Sequence, residues 1–204
     1  MSVVFVISAP SGSGKSTLVH RLLEQDSNLS FSVSWTTREP RGHEQEGEDY
    51  HYVTRAAFEA AIAADEFLEY AEVFGNYYGT HRGVLDRAIA KGGDVMLDID
   101  VQGARQLKGK VPDAVTIFVL APSRQELEQR LRARSEDSDE VIARRLHGAE
   151  KEIGNYRLYD YVLVNREIDR SVDTLASIVK AERIRRARME ADVAGILATF
   201  AEER

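Results

Sequence analysis

The segment Ala9-Pro-Ser-Gly-Ser-Gly-Lys15-Ser16-Thr17 follows the apolar run Val3–Ile7 and leads into the helix-like Leu18-Val19-His20-Arg21-Leu22-Leu23. A strand that passes through a glycine-rich turn into a helix points successive backbone N–H groups inward. It also ends on a helix N-terminus, and the two features together cradle a polyphosphate. In that geometry Lys15 reaches the β- and γ-phosphates and the Ser16 hydroxyl binds Mg²⁺. One departure from G-x-x-x-x-G-K-[ST] is visible, because position 9 is Ala rather than Gly. A methyl group there costs little unless the backbone needs a positive φ.

The acid expected on the metal side of such a loop stands at the C-terminal end of a neighbouring strand. Asp98 and Asp100 occupy that place in Val95-Met-Leu-Asp-Ile-Asp100, and period-two geometry points both to one side. A second set of polar groups lies in Ser34-Trp-Thr-Thr-Arg38-Glu-Pro-Arg41, with Tyr50 and Tyr78 further on. Two guanidinium forks and two phenols suit a monophosphate, since each donor can reach an oxygen. His43, His51, His81 and His147 share no metal-ligand spacing and read as solvent-exposed.

These groups need a frame. Val3–Ile7, Asp94–Ile99, Ala114–Leu120 and Tyr161–Val164 are short, nearly continuous apolar runs, as expected of parallel strands covered on both faces. Helical patterns lie between them, which predicts an open α/β sheet of the phosphate-loop type flanked by helices. Two stretches interrupt the alternation. Residues 32–81 read as short strands and turns with one helix at 55–64, and residues 123–158 are helical and highly charged with an acidic break. Such inserts hold a second substrate or close as a lid. The expected organisation is therefore one domain, with a core of 1–31, 82–122 and 159–204, an insert at 32–81 and a lid at 123–158.

Composition narrows the function classes. A net charge of −7 argues against a nucleic-acid binder, which needs a basic footprint. With no cysteine there are no disulfides or thiolate metal sites, which suits a reducing cytoplasm. No apolar stretch approaches the roughly 20 residues that span a bilayer, and the basic start of a signal peptide is missing. Beyond residue 185, Met189, Val193, Ile196, Leu197 and Phe200 make one stripe on a helix. Packing on the chain's own core is the first reading of that stripe, and a homo-oligomer contact is the second.

Ser-Val-Ser34-x-Thr-Thr-Arg38-x-Pro-Arg41, Gly47-x-Asp49-Tyr50, Phe67-Leu-Glu69, Gly75-Asn-Tyr-Tyr78-Gly-Thr80 and Leu97-Asp98-Ile-Asp100-Val-Gln-Gly103 together resemble the guanylate kinase family. The resemblance runs in order from the loop to about residue 185. It implies phosphoryl transfer from ATP to GMP with Mg²⁺, with dGMP left open as an acceptor. On this resemblance ATP falls to Ser11, Gly12, Ser13, Gly14, Lys15, Ser16, Thr17, Arg130, Arg134 and Asn165, and the metal to Ser16 and Asp98. GMP falls to Ser34, Arg38, Arg41, Tyr50, Glu69, Tyr78, Thr80 and Asp100, while Lys15, Arg38, Arg134 and Arg145 carry catalysis.

The base reader makes chemical sense: a carboxylate at Glu69 accepts from guanine N1–H and the 2-amino group, and adenine offers neither. Trp35 stands where many relatives carry a smaller or imidazole side chain, and Thr80 keeps the hydroxyl of the more common Ser. Two other readings share part of this pattern. One is a different phosphate-loop kinase, such as a ribosyl bisphosphate kinase, which the base reader disfavours. The other is a non-catalytic guanylate-kinase-like interaction module, disfavoured by the presence of Lys15, Ser16 and Asp98.

Overall fold

The computed structural model describes residues 2–73, 75–134 and 138–202, and of Arg134, Ala201 and Glu202 it describes the backbone alone. The chain opens with strand β1 (Val4–Ser8), the phosphate loop and helix α1 (Lys15–Gln25), then strand β2 (Leu29–Phe31). The next stretch holds β3 (Trp35–Thr36), β4 (His51–Tyr52), α2 (Arg55–Ala63), β5 (Phe67–Val73) and β6 (Asn76–His81). Helix α3 (Gly83–Lys91), β7 (Asp94–Asp98), α4 (Val101–Lys110) and β8 (Val115–Leu120) follow. Two charged helices, α5 (Arg124–Arg134) and α6 (Asp139–Ile153), precede β9 (Tyr161–Val164), α7 (Ile168–Arg183) and α8 (Glu190–Glu202).

The main sheet runs β2-β7-β1-β8-β9 with every pair parallel. The four apolar runs are thus strands of one sheet, as the sequence pattern predicts. Both faces are covered. Val3, Phe5 and Ile7 turn toward Leu18 and Leu22 of α1 and Val172, Leu175 and Val179 of α7. Val6, Val95 and Leu97 turn toward Val84 and Ala88 of α3 and Ala104 and Leu107 of α4. The order puts β1 between β7 and β8, so the phosphate loop emerges at the middle of the sheet's C-terminal edge, where ligands bind in this architecture. The sequence pattern does not predict the short edge strand β2: only Leu29 of its three residues is buried, so it lacks the apolar run that marks the others.

A second sheet, β4-β3-β6-β5, comes from residues 35–81. Its core is aromatic. Phe58 of α2 is fully buried and stacks on Phe67 and Tyr77 at 4.2 and 5.1 Å between ring centroids. Trp35 stacks on His81 at 4.8 Å and meets His51 edge-on. His51 and His81 are therefore half-buried partners of an aromatic cluster rather than solvent-exposed as expected, because Trp35 supplies a flat apolar surface between them. Leu68 of β5 joins the core cluster beneath α3 and α4, so the small sheet shares a hydrophobic core with the large one.

The C-terminal helix corrects another expectation. Val193, Ile196, Leu197 and Phe200 of α8 are 49–67% exposed, so the stripe does not pack on the chain's own core. Among the described residues no helix is long and apolar enough to cross a membrane. Replacing Phe58 by Ala empties the centre of the small sheet's core. It should lower stability to urea by about 3–5 kcal/mol, and a loss below about 1 kcal/mol would contradict the close packing of that core.

Candidate functional site

Gly12 and Gly14 adopt φ of 87° and 88°, the left-handed conformation that glycine tolerates without strain. Ala9 is not among the positive-φ residues, which is why a methyl group is accepted there. Space also demands the two glycines. A Cβ on Gly12 would lie 3.0 Å from Leu131, and one on Gly14 would overlap the Asn165 side-chain amide. Asn165 is buried at the end of β9, and its Nδ2 donates to the Ser13 carbonyl at 2.9 Å. Arg130 of α5 donates to the Asn165 carbonyl at 3.1 Å and pairs with Glu126 at 2.9 Å. The observed part of Asn165 and Arg130 is thus to brace the loop from behind. Lys15, the first residue of α1, pairs with Asp98 at the end of β7, while Ser11, Ser16 and Thr17 face solvent.

Beside this pair a cleft of about 230 Å³ is lined by Ser34, Tyr50, Glu69, Tyr78, Asp98 and Asp100, among others. Strands of both sheets and the segments next to them deliver these groups: Glu69 stands on β5, Tyr78 on β6 and Asp98 on β7, Ser34 and Tyr50 just precede β3 and β4, and Asp100 precedes α4. Glu69 is 4% exposed, and the fully buried Thr80 on β6 donates its hydroxyl to Glu69 Oε1 at 2.6 Å. Burial pushes the Glu69 carboxyl up to about 7, the Thr80 hydrogen bond opposes the shift, and the negative charge of Asp100 adds to it. Asp100 caps α4: its Oδ1 accepts the Gly103 N–H at 2.7 Å.

Arg38 is buried and pairs with Glu44 at 2.9 Å, and its guanidinium lies 5.3 Å from the Tyr50 ring centroid. Glu44 also accepts the Arg41 backbone N–H at 2.8 Å and the Tyr52 hydroxyl at 3.0 Å. The Arg38 hydrogen bond leads in holding the Glu44 carboxyl down at about 2, and the same bond raises Arg38 further above its ordinary value. Tyr50 and Tyr78 meet edge-on at 5.9 Å, and the Arg41 side chain is exposed. Motif spacing does not single out Glu44, yet a signal for it exists. A buried guanidinium needs a counter-charge, and Glu44 is the nearest acid after Arg41.

The charged helices α5 and α6 pack through Leu127, Leu131, Ile142 and Leu146. Arg145 stands exposed on α6, and the Arg134 side chain lies outside the described residues. The base of this pair is tied to the core by Arg105 of α4, which donates to Asn155 Oδ1 at 2.8 Å. No group of three or more metal-ligating His, Cys, Asp or Glu residues occurs among the described residues. The oxygen donors at hand, Ser16 and Asp98, do fit a hard divalent cation completed by phosphate oxygens and water.

Residues 1–182 match the family model described as "Guanylate kinase". The chain is 58% identical over 187 residues to a guanylate kinase of Koribacter versatilis, covering 90% of this chain and 80% of that one. It is 50% identical over 195 residues to a guanylate kinase of Myxococcus xanthus, covering 95% and 93%. The crystal structure of a guanylate kinase from Anaplasma phagocytophilum superposes with a TM-score of 0.75 at 38% identity, covering 92% of this chain and 89% of that one. Neither rival reading has comparable support. The glycine-rich loop, the two sheets and the acid-lined cleft between them therefore sit in a chain that belongs to the guanylate kinase family.

Proposed function

We propose that the chain transfers the γ-phosphoryl group of ATP to GMP, giving ADP and GDP. The observation that carries this reading is the position of Asp98. It lines the cleft that holds Glu69, Ser34 and the two tyrosines, and it pairs with Lys15 of the phosphate loop. One acid thus borders both half-sites, as in-line transfer between two bound nucleotides requires.

In this reading the backbone of Ser11–Gly14 and the side chains of Lys15, Ser16 and Thr17 hold the ATP phosphates. Arg130 and Asn165 keep the loop in shape at the nucleotide's edge. Ser34, Glu69 and Thr80 read guanine, with Asp100 beside the nucleoside, and Arg38, Arg41, Tyr50 and Tyr78 grip the GMP phosphate. Glu69 has to be ionised to accept from N1–H and the 2-amino group, so guanine binding draws off the proton that burial favours. Ser16 and Asp98 would hold Mg²⁺, which when bound supplies charge neutralisation at the phosphates.

A GMP phosphate oxygen forms the new bond to the γ-phosphorus as the bond to the bridging oxygen breaks and ADP leaves. Lys15 exchanges Asp98 for phosphate oxygens, and Arg38, Arg134 and Arg145 absorb charge in the transition state. Closure of residues 32–81 and 123–158 over the nucleotides excludes water, which would otherwise take the phosphoryl group. The absence of cysteine from the sequence fits a reducing cytoplasm as the setting. The exposed apolar side chains of α8 meet a second copy of the chain, because an isolated apolar helix in water is unfavourable.

Two experiments test these statements. Glu69→Ala should lower kcat/KM for GMP by about 10²-fold or more, and an unchanged kcat/KM would mean that Glu69 does not read the base. Sedimentation should find the full chain as an oligomer and a chain ending after Arg188 as a monomer, whereas a monomeric full chain would overturn the role given to α8.

A further inference from the structure

Gly103 is a glycine without a conformational reason. It lies in the first turn of α4, is buried, and is not among the residues with positive φ. Alanine is the better helix former at such a position, so intrinsic propensity argues against the residue that is present. The explanation lies across the cleft. A Cβ built on Gly103 would overlap Glu69 Oε2 and come 3.0 Å from the Glu69 carboxyl carbon, with Asp100 Oδ1 next at 3.4 Å. Gly109, on the same helix, has nothing within 4 Å of an added methyl, so crowding is particular to the Glu69 side.

The rest of α4 holds the same strand at the same height. Gln106 places its side-chain amide on the edge of β5 as a further strand would: Nε2 donates to the Tyr70 carbonyl at 2.9 Å and Oε1 accepts the Tyr70 N–H at 3.2 Å. Lys110 donates to the Phe67 carbonyl at 2.7 Å. Glu69 therefore sits between two anchor points on α4, with its carboxylate seated on the one turn that has no side chain in the way. Its far side is fixed by the Thr80 hydroxyl.

We infer that Gly103 is a specificity-determining positioning residue, whose missing side chain sets the depth at which the Glu69 carboxylate meets the purine's N1–H and 2-amino group. The inference rests on the reading of Glu69 as the base reader. An added methyl pushes the carboxylate outward along the cleft, and a displacement near ~1 Å is enough to lose the paired geometry that two donors require. The loss concerns recognition of one base and leaves the phosphate loop untouched.

The test compares Gly103→Ala, Gly109→Ala and Glu69→Ala with the parent, using GMP and IMP, which lacks the 2-amino group. Gly103→Ala should raise KM for GMP about tenfold or more and lower the GMP/IMP ratio of kcat/KM by a similar factor. KM for ATP should stay within about twofold and Tm should hold or rise, since Ala favours the helix. Gly109→Ala should behave as the parent. An unchanged GMP/IMP ratio in Gly103→Ala beside a lowered ratio in Glu69→Ala would overturn the inference alone. An unchanged ratio in Glu69→Ala would overturn the base-reader assignment beneath it. Equal losses with both nucleotides together with a fall in Tm, or a Gly103→Ala chain that does not fold, would also overturn the inference, because they assign the glycine a purely structural part.

Discussion

The Glu69 carboxyl group is buried, and it has no salt-bridge partner among the described residues. That is an expensive arrangement, tolerable because the acid retains its proton to higher pH than usual and because Thr80 donates to it at 2.6 Å. Much of the surrounding structure exists to hold it there. β5 carries it, β6 supplies Thr80, α4 offers a turn without a side chain, and Leu68 locks β5 into the core beneath α3 and α4. A desolvated acceptor of this kind is incomplete until two N–H donors arrive on one edge of a planar base. With Glu69 as the proposed base reader, selectivity follows from the mismatch that any other base would leave.

The cations beside the cleft are managed the opposite way. Lys15 is held by Asp98 and Arg38 by Glu44, so each positive group is oriented before substrate is present. In the proposed function phosphates replace or join these carboxylates, and the charges meet them with little reorganisation. Arg130 and Asn165 serve the same end at one remove, since both bond to backbone oxygens of the phosphate loop and its brace. In the function proposed above, the neutral-leaning acid chooses the base and the pre-paired cations receive the phosphates.

Much of this is legible in the chain. The loop glycines, the buried strands and the acids at the end of β7 follow from local rules, because a phosphate turn and a two-sided strand each leave a pattern within a few residues. The edge strand β2 is hidden, since one buried residue in three makes no pattern. Glu44 is hidden for another reason, and so is the part of Gly103, which is visible only as the end of the Leu97–Gly103 motif: each answers a neighbour supplied by the fold, Arg38 in one case and Glu69 in the other, and sequence spacing does not announce such contacts. The stripe on α8 is visible, but whether it faces the chain's own core depends on where Arg185–Met189 directs the helix, which periodicity does not encode.

In the proposed function, the buried, proton-holding carboxyl at position 69 becomes the ionised partner of guanine. An unfolded chain ionises this group near its ordinary 4.5 and the folded one near 7, so stability is lost as pH rises between those values. On the proposed reading, donors on bound guanine favour the charged form and reverse the shift. Carbon-13 titration of the Glu69 carboxyl, assigned through Glu69→Gln, measures this directly. The account predicts a midpoint of about 7 in the free protein and one at or below 4.5 with GMP bound. A midpoint near 4.5 in the free protein, or one that GMP leaves in place, would contradict it.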